Sequence, residues 1–110
     1  MRKLSGKITC IGKRRIQAGS IVNIEALECL VDSPSNVLGS ISFQSSSFPI
    51  LFEISYDETP ILRNFYNGNY ILSVTIQKKD KILYANSGQS FVFEHMKKIL
   101  DNIELEVSEV

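Results

Sequence analysis

"PILFEISYD" (49–57) alternates from Ile50 to Tyr56 and then stops on an acid. Ile50, Phe52, Ile54 and Tyr56 fall on one side, and Leu51, Glu53 and Ser55 on the other. A period of two is the mark of a strand with one buried face. The reading puts Phe52, Ile54 and Tyr56 in a core and turns Leu51 and Glu53 outward.

The same pattern recurs in both directions. "YILSVTIQ" (70–77) alternates most cleanly, and "KKDK" turns it into "ILYAN" (82–86) as a hairpin. Upstream, "KITCI" (7–11) is a short strand and "IVNIEALECLV" (21–31) a long one. In the long one Val22, Ile24 and Ala26 share a face, while Leu27 and Cys29 take the other parity. That phase change predicts a bulge near Ala26 and Leu27. "VLGSISFQ" (37–44) places Ile41 and Phe43 in phase, and "IELEV" (103–107) turns Ile103, Leu105 and Val107 inward. "EHMKKILDN" (94–102) carries Met96, Ile99 and Leu100 at helical spacing. The expectation is an all-β antiparallel β-sandwich of seven to eight short strands, with one short helix over 94–101. Residues 1–110 form a single domain.

Composition bounds the function. With 44% hydrophobic and 22% charged residues the chain is globular, and twelve acids balance twelve bases. No overall field favours nucleic acid. Bases crowd the first residues, from Arg2 to Arg15, and acids the last, from Asp101 to Glu109. This predicts terminal strands that lie close and neutralise one another. No run reaches the roughly 18 apolar residues of a membrane helix.

Catalytic chemistry finds no support. His95 is the lone histidine and reads as a surface residue. No phosphate-cradling glycine loop, calcium loop or nucleophile motif is present. Glu53, Asp57 and Glu58 cluster at a strand end, but Glu53 alternates outward, which makes a solvated face of them. No metal, cofactor or small-molecule substrate is implied. Cys10 and Cys29 are read as two buried free thiols. A hairpin of the first two strands would set them too far apart for a disulfide. Tyr70, directly after "NGN", reads as a structural corner residue.

The order of these pieces resembles the YscW/YbaY-type lipoprotein family, best known for pilotins of type III secretion systems. The carrying residues are Phe52, Glu53, Ile54, Tyr56 and Asp57. Then come Tyr70, Leu72, Val74 and Ile76, and Leu83 with Tyr84 after the charged turn. The resemblance spans roughly residues 6–93. It implies a β-sandwich at the periplasmic face of the outer membrane, held by a lipid anchor absent from this chain. On that reading the sequence is the mature part of a lipoprotein, without signal peptide or lipidated cysteine. Cys10 lies inside a strand and does not carry the lipid. The resemblance further implies a secretin chaperone that binds the C-terminal segment of an outer-membrane secretin and promotes its targeting and assembly.

A protein without catalytic groups acts through a surface, and a pilotin captures its partner's tail as an apolar segment in a groove. The candidate partner-binding residues break the inward alternation or lie in loops: Leu51, Ile61, Leu62, Phe65, Tyr66 and Phe91. Two other readings compete. One is a housekeeping envelope lipoprotein of the same fold without a secretin partner. The other is a carbohydrate-binding sandwich, for which Tyr56, Tyr66 and Tyr84 are too scattered.

Overall fold

The computed structural model describes residues 2–30, 36–57, 68–86 and 99–110. These form eight strands: β1 (Arg2–Thr9), β2 (Ile21–Leu30), β3 (Asn36–Gln44), β4 (Ile50–Tyr56), β5 (Gly68–Lys78), β6 (Lys81–Ala85), β7 (Ile99–Glu106) and β8 (Ser108–Glu109). Two sheets face each other, one ordered β4-β1-β7 and the other β3-β2-β5-β6-β8. The all-β sandwich expected from the alternation is the architecture found.

Inward residues of both sheets meet in one core. Leu4 and Ile8 of β1, Phe52, Ile54 and Tyr56 of β4, and Ile103 and Leu105 of β7 pack toward Val22, Ile24, Leu72, Val74 and Ile76. Removing each such side chain from water is worth about 1.5–3 kcal/mol, which holds the layers together. In β4 buried and exposed residues alternate without a break.

Both flanks are drawn shut. On one, Asp57 N–H donates to the Leu38 carbonyl at 2.9 Å, tying β4 to β3 across the layers. Gly39 permits this approach, because a Cβ there would fall on the Ser55 carbonyl oxygen. On the other, the chain changes sheets at buried Val107, so β7 follows β1 while β8 pairs with β6. Where β6 ends, Asn86 extends its pairing with a side chain. Its amide accepts from Val74 N–H at 2.9 Å and donates to the Leu72 carbonyl at 2.7 Å.

Four expectations change. The β1–β7 pair is parallel, so the sandwich is not antiparallel throughout. β1 does not form a hairpin with β2, since it lies between β4 and β7 in the other sheet. Residues 99–101 begin β7 rather than ending a helix, because pairing with β1 satisfies their backbone; 94–98 lie outside the described residues. The irregularity at Ala26 and Leu27 is real, but its extra residue, Leu38, belongs to β3. β2 keeps an unbroken register with β5, so its parity does not change, and Glu28 follows Ala26 into the interior.

Candidate partner-binding surfaces

The outer face of the smaller sheet is a lattice of paired charges. Lys3 Nζ lies 3.5 Å from Glu53, and Lys7 Nζ lies 3.3 Å from Glu104. The second of these pairs joins the basic start to the acidic end, and Lys13 with Glu109 at 2.8 Å makes a third contact. Neutralisation of the terminal strands, read from the sequence, is present. Leu51 stands in this lattice opposite Lys7, with 77% of its surface exposed.

Ile61, Leu62, Phe65, Tyr66 and Phe91 lie outside the described residues, as do His95 and Glu58. The backbone still fixes where the chain leaves for 58–67 and returns. It departs after Asp57, bonded to Leu38, and returns at Gly68, opposite Leu30. Both points lie at the end of the sandwich where β1 begins, with Arg2 opposite Tyr56. This is the entry end; the opposite, hairpin end holds the connection 10–20 and the turn 78–81.

The outer face of the larger sheet carries an apolar row that sequence reasoning missed. Leu27 of β2 lies opposite Val37 of β3 on one side and Ile71 of β5 on the other. Val37 is 56% exposed, and Leu27 and Ile71 are half-buried. The row sits at the entry end. Toward the middle of the sheet it gives way to a polar ladder. Ser42 Oγ donates to Asn23 Oδ1 at 2.7 Å, and Asn23 Nδ2 donates to Thr75 Oγ1 at 3.5 Å. The signal for the row was the parity of β2, continued past Ala26.

Directly beneath the row, the Glu28 side chain is fully buried. Asn36 Nδ2 donates to its Oε1 at 3.1 Å, and Oε2 has no hydrogen-bond partner among the described residues. Cys10, at the hairpin end, is half-buried rather than buried and carries a free thiol, so no bridge joins it to Cys29. Burial pushes that thiol's pKa up, and the nearby Glu109 carboxylate adds to the effect. Glu109 also raises the Lys13 pKa through their hydrogen bond.

Among the described residues no three His, Cys, Asp or Glu gather as metal ligands. The described faces of this two-layer β-sandwich carry charge pairs, an apolar row and, at the hairpin end, exposed cations. The chain belongs to the family of type III secretion system lipoprotein chaperones (YscW), whose profile matches residues 1–105. That is a family of chaperones, in agreement with the resemblance carried by β4 and β5. Among solved structures, an alternative pilotin from the type II secretion system of Vibrio cholerae is similar. It superposes with a TM-score of 0.73 at 15% identity, covering 99% of this chain and 98% of that one. At that identity the likeness is one of fold. No curated protein matches the chain.

Proposed function

We propose that this protein is a pilotin that binds the C-terminal tail of an outer-membrane secretin in a type III secretion system. On this reading a lipid anchor holds it at the periplasmic face of the outer membrane, and it brings the secretin there for assembly. Membership of the lipoprotein-chaperone family is the observation that carries the reading.

On this reading the tail docks at the entry end, on the row of Val37, Leu27 and Ile71, and Ile61, Leu62, Phe65, Tyr66 and Phe91, outside the described residues, are the further candidate contacts. Leu51, on the other sheet, is the second candidate contact. An apolar helix meeting an apolar row gains about 25 cal/mol per Å² of buried surface, whereas Leu51 offers one side chain among paired charges.

Calorimetric titration with a peptide of the secretin C-terminus tests this. Val37→Asp and Phe65→Ala each weaken binding by about tenfold or more, in the range typical of buried interface anchors. Loss of affinity in Leu51→Asp alone would move the site to the smaller sheet. No binding by the unaltered protein would overturn the secretin reading.

A further inference from the structure

The eight cations whose side chains are described divide into two populations. Lys3, Lys7 and Lys13 each hold an acidic partner. Arg14, Arg15, Lys78, Lys79 and Lys81 have none among the described residues. All five belong to the hairpin end. Arg14 and Arg15 are exposed on the connection 10–20. Its backbone is fastened by Phe48 N–H to the Arg14 carbonyl at 2.8 Å and Ile16 N–H to the Ser46 carbonyl at 3.0 Å. The three lysines surround the turn from β5 to β6, with Lys78 opposite Lys81.

Counted by sequence, this end holds Lys13, Arg14, Arg15, Lys78, Lys79 and Lys81 against Asp80, Glu106 and Glu109, a balance of 6 − 3 = +3. The other residues hold 12 − 6 = 6 cations and 12 − 3 = 9 anions, a balance of −3. The neutral chain therefore carries a local excess of positive charge at the hairpin end.

The cationic end also holds a shallow groove. An open depression of about 600 Å³ lies between Gln17 and the turn, lined by Lys78, Lys79, Asp80, Lys81 and Leu83. It adjoins a smaller hollow that shares Gln17, Lys81 and Leu83 and reaches Tyr84, Glu109, which is paired with Lys13, and exposed Ile82 and Val110. Lysines along the rim with Leu83 and Ile82 beside them match a chain that alternates acids with apolar residues.

We propose that this groove is a second docking surface, whose occupant is an acidic, partly apolar peptide segment of a partner protein. Charge complementarity selects an anionic occupant, since unpaired lysines focus a positive field over a low-dielectric wall. The open depression with Leu83 and Ile82 beside the lysines gives a peptide's apolar side chains a place between its acids. The groove lies at the far end of β2 from the apolar row. Seven residues of β5, from Ile71 of the row to Lys78 at the groove, separate the two by roughly 24 Å at about 3.4 Å each, so both can be filled at once.

The probe is a fluorescein-labelled synthetic peptide alternating Glu and Leu, titrated by fluorescence anisotropy against the whole chain. Binding is expected, weakened by added salt. The triple variant Lys78→Gln, Lys79→Gln, Lys81→Gln should lose about tenfold in affinity, as expected of several exposed charge contacts acting together. Lys3→Gln with Lys7→Gln removes paired cations and should leave affinity unchanged. Circular dichroism and the urea midpoint confirm that the variants fold. No binding, or equal loss in both sets, overturns the proposal. Binding to phosphatidylglycerol-containing vesicles in place of the peptide also overturns it and makes the end a membrane contact.

Discussion

Glu28 has zero exposure and a single described partner, Asn36. A carboxyl group taken out of water depends on the hydrogen bonds it keeps, and losing one leaves a buried acceptor unsatisfied. Asn36→Ala should therefore cost about 2 kcal/mol in urea unfolding, although Asn36 itself is exposed. In a Glu28→Gln background the same change should cost less than half of that, because the neutral amide is cheaper to leave underpaired. Equal costs in the two backgrounds would show that the contact contributes nothing. No reading of apolar periodicity finds this residue, since it puts an acid where the pattern asks for an aliphatic. The β2–β5 register decides its parity, and only the pairing reveals it. Cys10 offers a second test at this scale. Its raised pKa disfavours the thiolate, so alkylation by iodoacetamide at mildly alkaline pH should be slower than for a free cysteine peptide. Glu109→Gln should speed it by removing a repelling charge. Because folding raises this pKa, the associated stability is full below the unfolded thiol's pKa and is lost as pH rises through the folded one. Cys10→Ala should flatten the alkaline decline.

Between strands, the decisive contacts are backbone on backbone. β1 passes so close to β7 that a Cβ on Gly6 would land on the Ile103 carbonyl oxygen, with the carbonyl carbon 2.7 Å away. Neither atom can rotate aside. Gly6→Ala should thus cost about 3 kcal/mol or more, the upper range for overpacking, read as a fall in the urea midpoint. A change below about 1 kcal/mol would mean that β7 can shift along β1. β4, β5 and β6 were legible in sequence because their alternation is local and each has one wet face. β7 was only partly legible. Ile103 and Leu105 alternate, yet Ile99 and Leu100 also suit a helical face, and a parallel partner almost a hundred residues away decides between them. The placement of β1 between β4 and β7, in place of a hairpin with β2, is likewise long-range and leaves no local trace.

Across the whole molecule the two candidate surfaces differ in physics as well as position. The entry end offers an apolar row and the hairpin end a set of unpaired cations. Burial of apolar surface is little affected by moderate salt and gives a negative heat-capacity change on binding. Exposed charge contacts weaken as the Debye length shrinks from about 14 Å at 0.05 M to about 5 Å at 0.4 M. If a secretin tail docks on Val37, Leu27 and Ile71, its affinity should change less than about twofold over that range. Its binding enthalpy should grow more negative with temperature. The Lys78→Gln, Lys79→Gln, Lys81→Gln variant should bind the tail unchanged, while Val37→Asp should not. Calorimetry at two salt concentrations and two temperatures measures all of this on one protein preparation. A steep salt dependence, abolished in the triple lysine variant, would mean that the tail occupies the cationic groove. The apolar row would then be left without its proposed occupant, and the polarity of the pilotin on its partner would be reversed.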